Sequence, residues 1–313
     1  MKLLLFLLMV LSSTFVYAQE NIIFDTDMGS DCDDAGAMAV LHKLADKGEV
    51  NILGVIFSSN ANKYGIGTVA AINAYYGRQD LPLGQFREQV VIGDPGDSYS
   101  RFIAEATAAY GHHVVDSAKD LVLAYKEILE VQADQSVSIV TVGHPVGLHY
   151  LIHDKEGSRL VKQKVKRWIA MTHTDTLAQN DWNFGKNGTA PFISGLLKAW
   201  PTEIYFSGAG KNIITGHVKL SETPENNPVK KAYALWGNNA LKIGRSSWDQ
   251  IAVLFAARPQ YFDLEEGSMN QNSRYETFWT AGSGLGRHFK ITPKISRYQL
   301  ESIIEGLMHE NPL

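Results

Sequence analysis

The chain has 313 residues, 45% of them hydrophobic, which is enough to form the core of one large α/β domain or two small ones. Its formal net charge is −4 at pH 7 and it has no basic stripe, so neither nucleic acid nor an anionic membrane is expected as the main partner. The expected ligand is a small molecule without strong negative charge. Cys32 is the only cysteine, which excludes an intramolecular disulfide, and we interpret it as a small packing residue.

The first 18 residues have the pattern of a secretory signal peptide. Lys2 precedes the apolar run Leu3–Val10, and Val16-Tyr17-Ala18 provides the small residues of a cleavage site. We therefore expect an exported protein, periplasmic or secreted, whose mature chain comprises residues 19–313. The apolar run is too short to be a strong candidate for a membrane span, so no membrane association is expected after cleavage.

An aspartate-rich loop follows the first predicted strand, Ile22–Phe24. Five aspartates occur within ten residues, namely Asp25, Asp27, Asp31, Asp33 and Asp34. Carboxylates this close repel by about 1 kcal/mol per pair at 4 Å even at the dielectric constant of water, so a counter-charge is expected. Ligands that are all carboxylates favour a hard divalent cation, Ca²⁺ or Mg²⁺. Helix capping would account for the last two aspartates but not for the other three.

Short apolar runs alternate with helical patterns along the rest of the chain, as in βαβ folds. The predicted strands are 22–24, 50–57, 137–142, 165–171, 203–207 and 275–280. The predicted helices are 35–45, 64–76, 116–131 with Asp116 as its cap, 191–200, 227–241, 246–257 and 296–308. Residues 85–115 are expected to cross the edge of the sheet. The predicted fold class is α/β, a single domain with a mostly parallel open sheet flanked by helices.

Polar residues follow several of these strands, and the carboxyl ends of parallel strands share one edge of a sheet. Besides the five aspartates, the residues expected there are Asn60, Asn62, Asp181, Asn183, Asp249 and the backbone carbonyls of the turn at Gly143. Carboxylates, carboxamides and a carbonyl would suit a Ca²⁺ ion with six to eight ligands and room for water and ligand hydroxyls.

These motifs resemble those of the nucleoside hydrolase family, inosine-uridine preferring type, the Ca²⁺-dependent enzymes that cleave the N-glycosidic bond of ribonucleosides. Asp25–Ala35 is similar to the family's N-terminal signature, and Asn73–Pro82 to its second-helix motif. Val140–Gly143 resembles the strand and turn whose carbonyl meets the metal. Asp181-Trp182-Asn183 resembles the family's triplet that binds ribose. Ser247-Trp248-Asp249 lies where the family has a His-Asp pair.

The resemblance implies a role for each matching residue. Asp27 would be a metal ligand and also the catalytic general base, taking a proton from a Ca²⁺-bound water that attacks C1′. The other implied metal ligands are Asp34, the backbone carbonyl of Val142, and Asp249. The implied substrate-binding residues are Asp33, Asn60 or Asn62, Asp181, Asn183 and, through stacking on a base, Trp248. A homo-oligomer is also expected from the resemblance.

This sequence departs from the family pattern at three points. Ser30-Asp31-Cys32 stands where the commonest spacing has one residue, so Asp31 could share the role given to Asp33. Met28 replaces a common proline. Trp248 replaces a histidine that often assists the leaving base, so either another residue such as His173 donates that proton or the base leaves unassisted.

Alternative functions from other classes remain open. A haloacid-dehalogenase-type phosphatase would use Asp25 as phosphoryl acceptor, but Gly29 stands where that family has Thr or Val. An EF-hand would need a glutamate where Gly36 stands. An exported protein that binds a metal and a nucleoside without turnover would retain most of the motifs. The sequence favours an exported Ca²⁺-dependent ribohydrolase that releases free base and ribose.

Overall fold

A computed structural model describes residues 19–112, 118–237, 239–282 and 286–312. The predicted signal peptide, residues 1–18, and the predicted helix cap Asp116 lie outside these ranges. Across the described ranges, no helix combines the length and the apolar character needed to cross a membrane.

The described residues form strands, α-helices and short 3₁₀ segments in alternation. The strands are β1 (Glu20–Thr26), β2 (Val50–Phe57), β3 (Leu83–Gln85), β4 (Lys119–Asp120), β5 (Val137–Thr141), β6 (Val165–Met171), β7 (Glu203–Ser207), β8 (Ile214–Thr215), β9 (Arg245–Ser246), β10 (Phe262–Gln271), β11 (Thr277–Ala281) and β12 (His288–Pro293). The α-helices are α1 (Asp33–Asp46), α2 (Gly65–Tyr75), α3 (Ser100–Ala104), α4 (Thr107–Tyr110), α5 (Leu121–Glu130), α6 (Val146–His153), α7 (Lys155–Lys164), α8 (Trp182–Gly185), α9 (Ala190–Ala199), α10 (Pro228–Leu235), α11 (Ala240–Ile243), α12 (Trp248–Ala257) and α13 (Arg297–His309). The 3₁₀ segments are Ala209–Asn212, Leu220–Glu222 and Pro259–Tyr261.

One large sheet has the strand order β11-β10-β12-β7-β6-β5-β1-β2-β3-β4. From β12 to β4 all neighbours are parallel, whereas β10 is antiparallel to both β11 and β12. The separate ribbon β8–β9 is antiparallel. This architecture confirms the predicted α/β class with a mostly parallel open sheet.

Helices cover both faces of the sheet, and β1 shows why. Its residues Ile22 and Phe24 belong to the core that includes α1, α12 and α13, while Ile23 belongs to the core that includes α5, α6 and α9. Alternate side chains of a strand point to opposite faces, so a strand that is apolar at every position must be buried on both sides. The apolar run before the acidic loop therefore places β1 at the centre of the fold.

Three sequence predictions of secondary structure need correction. The helix predicted at 227–241 is two helices, because Gly237 and Asn239 have positive φ angles of 53° and 66° and so interrupt it. The helix predicted from Asp116 begins at Leu121, where the Asp120 side chain accepts the capping bonds. The strands β10 and β12 were not predicted, because they lie toward the antiparallel edge and carry many polar residues.

Candidate functional site

The strand order reverses at β1, and the predicted site residues lie at its carboxyl end. From β1 the chain continues through β2, β3 and β4 on one side and then crosses to β5 on the other. Ligands of open α/β sheets bind outside the carboxyl ends of the strands at such a reversal. Here the loop after β1 carries Asp27, the loop after β5 carries Val142, and the segment after β6 carries Asp181.

The loops after β1 and β5 are in very close contact at Gly143. A Cβ atom at Gly143 would lie only 2.4 Å from the backbone nitrogen of Asp27 and 2.6 Å from Ser58 Oγ. Only a glycine allows this approach. The predicted glycine turn therefore brings the Val142 carbonyl and Asp27 to the same part of the site.

Asp27 is paired with a histidine to which the sequence analysis gave no role. His144 Nε2 lies 3.2 Å from Asp27 Oδ2, and both side chains are buried. Burial lowers the pKa of His144, but the charge of the Asp27 carboxylate, together with the Asn183 carbonyl and Asp181, outweighs burial and raises that pKa above the ordinary value. His144 is thus suited to be a positively charged partner of the Asp27 side chain. The position of His144 directly after the Gly143 turn was the available sequence signal.

Asp25 is buried beneath the site. Tyr125 donates a hydrogen bond of 2.7 Å to Asp25 Oδ2, and the carboxyl group is fully inaccessible to solvent. Burial raises the pKa of Asp25 to about 7. A carboxyl group in this setting is a poor phosphoryl acceptor, so the phosphatase alternative finds no support in the geometry.

Asp33, Asp34 and Asp249 form a buried acidic group where α1 and α12 begin. Each is at most 2% exposed, and burial together with the neighbouring carboxylates raises the pKa of each well above its usual range. Thr26 Oγ1 donates a hydrogen bond to Asp34. A bound cation would restore ionisation of these carboxyl groups, so the cluster is poised to accept positive charge.

Asn183 contacts the proposed carbonyl ligand. Its Nδ2 donates to the backbone oxygen of Val142 at 2.6 Å, while its own Oδ1 is buried without a hydrogen-bond partner. Asp181 caps α8, because its Oδ1 accepts from the backbone nitrogens of Asn183 and Phe184 at 2.9 and 2.8 Å. The triplet predicted to bind ribose is thus folded against the turn that follows β5.

The side-chain amides of Asn60 and Asn62 are hydrogen-bonded to backbone groups of neighbouring segments. Asn60 Nδ2 donates to the carbonyls of Glu88 and Val90, both at 2.9 Å, and its Oδ1 accepts from the backbone of Ile92. Asn62 Nδ2 donates to the Gly96 carbonyl at 2.7 Å and its Oδ1 accepts from the Tyr64 backbone. Asn62 Nδ2 also bonds to Ser100 Oγ, so both N–H groups of each amide are used. A sugar hydroxyl could reach either asparagine without breaking a bond only by donating to Oδ1.

Beside the acidic group lies a cavity of about 510 Å³ with three tryptophans in its wall. Trp182, Trp236 and Trp248 line it together with Asp181 and Asn183. Aromatic faces suit a planar ligand, and the polar groups at one end suit hydroxyls. Trp248, for which stacking on a base is predicted, is thus part of the cavity wall.

His173 also lines this cavity, and both of its ring nitrogens are hydrogen-bonded. Its Nδ1 lies 2.9 Å from Gln179 Nε2 and 3.3 Å from the backbone nitrogen of Asp175, both of which are donors. Its Nε2 is hydrogen-bonded to Thr277 Oγ1 at 2.8 Å. Neither nitrogen of His173 is therefore left free for a ligand without giving up one of these bonds.

Arg245 binds two of the aspartates and was not identified from the sequence. Its Nε donates to Asp33 Oδ1 at 2.9 Å and its Nη2 donates to Asp31 Oδ2 at 2.8 Å. The guanidinium lies 4.7 Å from the ring centroid of Trp236. No sequence signal pointed to it, because its partners lie more than 200 positions earlier in the chain.

The donor set fits a hard divalent cation. Four buried oxygens have no hydrogen-bond partner, a costly arrangement that a bound cation and the hydroxyls of a ligand would relieve: Asp27 Oδ2, Asp33 Oδ2, Asp249 Oδ1 and Asn183 Oδ1. Asp31, Asp33 and Asp249 offer carboxylate oxygens that lie within 4.8 Å of one another. Of the metal ligands implied by the resemblance, Asp249 belongs to this set of three acids. Asp34 is instead hydrogen-bonded to Thr26, and Asp27 lies against His144.

No family model and no curated protein sequence matches the chain. Its fold, however, is similar to those of several solved structures. An inosine-uridine preferring nucleoside hydrolase from Bacillus anthracis superimposes with a TM-score of 0.72 at 13% identity, covering 93% of this chain and 99% of that one. The plant nucleoside hydrolase PpNRh1 gives a TM-score of 0.70 at 12% identity, with 93% and 99% coverage.

A bacterial effector has a similar fold as well. The type III effector protein XopQ, solved in complex with adenosine diphosphate ribose, gives a TM-score of 0.66 at 12% identity and covers 94% of this chain and 95% of its own. Sequence identities this low establish the fold that these proteins share with the chain.

Proposed function

The chain has the nucleoside hydrolase fold, and from this premise we propose that it is an exported, Ca²⁺-dependent hydrolase of the N-glycosidic bond of a ribonucleoside or close analogue. One observation carries the proposal. Asp33 and Asp249 have buried, unpartnered oxygens and form an acidic cluster with Asp31, which itself lines the tryptophan-walled cavity together with Asn183. Cation-binding oxygens next to a flat aromatic pocket suit a ligand that has a hydroxylated ring and a planar base.

The chain's own residues have distinct tasks in this proposal. Asp27, Asp34, Asp249 and the Val142 carbonyl would hold Ca²⁺, which when bound acidifies and orients a water molecule. Asp27 accepts the proton of the attacking water, and His144, whose Nε2 lies 3.2 Å from Asp27 Oδ2, holds that side chain in position for this purpose. Asp33, through its free Oδ2, and Asn183, through its free Oδ1, accept hydrogen bonds from the sugar hydroxyls.

The leaving base departs without a proton from His173. Nε2 of that side chain is already bonded to Thr277, and Nδ1 accepts two hydrogen bonds. Trp248 lines the same cavity and offers a face for stacking but no acidic proton at neutral pH. The reaction therefore depends on stabilising positive charge on the ribose, which the carboxylates around the site supply.

A second candidate function is binding without turnover. It is favoured by the engagement of His173 and by the likeness to XopQ, which was solved with adenosine diphosphate ribose. In that case the same cavity would hold a nucleoside or an adenosine diphosphate ribose-like ligand, and Asp27 would serve only as a cation ligand.

Release of reducing sugar distinguishes the two functions. The mature chain, residues 19–313, is incubated with a panel of purine and pyrimidine ribonucleosides, with Ca²⁺ and with a chelator. Ribose release that requires Ca²⁺ supports the hydrolase. Binding of ligand by calorimetry without any release supports the second candidate and removes the first.

A further inference from the structure

Within the described ranges, no side chain in the wall of the tryptophan-lined cavity is free to protonate a leaving base. Both ring nitrogens of His173 are already hydrogen-bonded. The carboxylates of the wall are engaged as acceptors, Asp31 and Asp175 by side chains and Asp181 by three backbone N–H groups. The other ionisable groups of the wall belong to a lysine and an arginine, which are weak acids. A base that must be protonated in order to leave finds no donor among these side chains.

The charge of the base decides whether a donor is needed. When the C1′–N bond of a neutral nucleoside breaks, its electron pair goes to the base, which leaves as an anion unless it receives a proton. Asp31, Asp175 and Asp181 line the cavity, so an anion formed there would be repelled. When the base is an aromatic cation, the same electron pair neutralises it and it leaves as a neutral molecule. The positive charge then passes to the ribose, where the carboxylates stabilise it.

The tryptophans of the cavity wall suit an aromatic cation. Lys186 Nζ lies 5.5 Å from the ring centroid of Trp182. The guanidinium of Arg245 lies 4.7 Å from the ring centroid of Trp236. Within the described ranges no cation lies over the ring of the third tryptophan, Trp248, which is partly exposed in the cavity wall. Indole binds cations through its face better than the other aromatic side chains, so Trp248 is available to a cationic ligand.

The two basic residues of the wall do not make the cavity suitable for an anion. Arg245 is bonded to both Asp31 and Asp33, so two carboxylates oppose its charge. Lys211 is exposed, where solvent screens its charge, and Asp175 opposes it on the same wall. The Ca²⁺ of the proposed function would not reverse the balance either, because its three carboxylate ligands carry more negative charge than the ion carries positive charge. The cavity therefore favours a ligand with positive charge.

We propose that the substrate of this site is a ribonucleoside whose base is an aromatic cation, an inference that rests on the proposed hydrolase function and names its substrate class. Water attacks C1′ and gives a proton to Asp27. The bond between C1′ and the positively charged base breaks, and its electron pair remains on the ring nitrogen. Ribose and a neutral base are released, and no side chain has to supply a proton to the base.

The turnover of one cationic and two neutral ribonucleosides tests this inference. The mature chain with Ca²⁺ is given N-ribosylnicotinamide, whose base is a pyridinium cation, and separately inosine and uridine. The value of kcat/KM for ribose release is expected to be at least about tenfold higher for the cation than for either neutral nucleoside.

Two variants show whether the cavity wall causes this preference. Asp175→Asn removes an exposed charge and keeps the side-chain shape, so it should lower kcat/KM for the cation about two- to fivefold and leave that for inosine unchanged. Asp263→Asn, an exposed aspartate on β10, is the control and should change neither value. Trp248→Leu should lower kcat/KM for the cation about tenfold more than for inosine, because only the cation loses a cation–π contact.

The possible failures are distinguishable. A kcat/KM for inosine or uridine that equals or exceeds that for the cation would overturn the inference and leave the proposed function standing. A preference for the cation that both Asp175→Asn and Trp248→Leu leave at its wild-type value would come from the weaker glycosidic bond of the cation alone, and the inference would fall. No ribose release from any of the three nucleosides would overturn the proposed function and the inference together.

Discussion

Gly143 lets the two strand ends of the site touch, and Gly143→Ala should therefore damage both stability and activity. The added Cβ would lie 2.4 Å from Asp27 N, whereas side-chain carbons do not approach backbone atoms closer than 3.0 Å, so the two loops must separate by about 0.6 Å. Overpacking of this kind costs about 1–3 kcal/mol of unfolding free energy. A displacement of up to 1 Å between catalytic groups lowers turnover by about 10²-fold.

Urea unfolding and ribose release from the best nucleoside measure the two effects. Gly306→Ala is the matched control: Gly306 lies inside α13, a Cβ there meets no atom within 4 Å, and alanine should stabilise the helix by about 0.5–1 kcal/mol. If Gly143→Ala unfolds at the wild-type urea concentration and keeps full activity, the close contact between the strand ends does not organise the site.

Two further predictions concern histidines. His42 is fully buried and its pKa is lowered to about 3 by burial, so the unfolded chain takes up a proton below about pH 6.5 while the folded chain does not. Between pH 6.5 and pH 5, the unfolding free energy of the wild type should fall by about 2 kcal/mol more than that of His42→Gln. Urea unfolding at each pH measures both values, and an equal fall in the two proteins would refute the prediction. His173→Gln should lower kcat/KM but leave the alkaline limb of the pH profile of kcat/KM unchanged, because His173 donates no proton to the leaving base. Loss of the alkaline limb in this variant would show that His173 is the proton donor.

The parallel part of the fold was predictable because its strands are buried on both faces. Predominantly apolar runs at 50–57, 165–171 and 203–207 mark β2, β6 and β7 with the bounds seen in the structure. The strands β10 and β12, which lie next to the edge strand β11, have no such run, since part of each strand faces solvent. Their pairing depends on neighbours distant in sequence, which a local pattern does not contain.

The candidate site likewise contains residues that a local sequence pattern identifies and residues whose role depends on contacts with distant parts of the chain. The aspartates after β1 and the turn after β5 were found because strand ends followed by polar residues are visible in the sequence. His144 follows that turn directly, but it is not part of a sequence motif that would distinguish it from a solvent-exposed histidine. Arg245 could not be found, because its importance comes from side-chain contacts with Asp31 and Asp33 across the fold.

The turnover of Asp27→Asn tests the central claim most directly. Asparagine keeps the shape of the side chain and an oxygen ligand but cannot accept the proton of the attacking water. The measurement compares ribose release at saturating Ca²⁺ and nucleoside with that of Asp263→Asn, an exposed aspartate on β10 away from the site. The account predicts a loss of at least about 10²-fold for Asp27→Asn, as is typical of a removed general base, and no change for the control. Equal turnover of both variants would contradict the assignment of Asp27 as the base and with it the proposed mechanism.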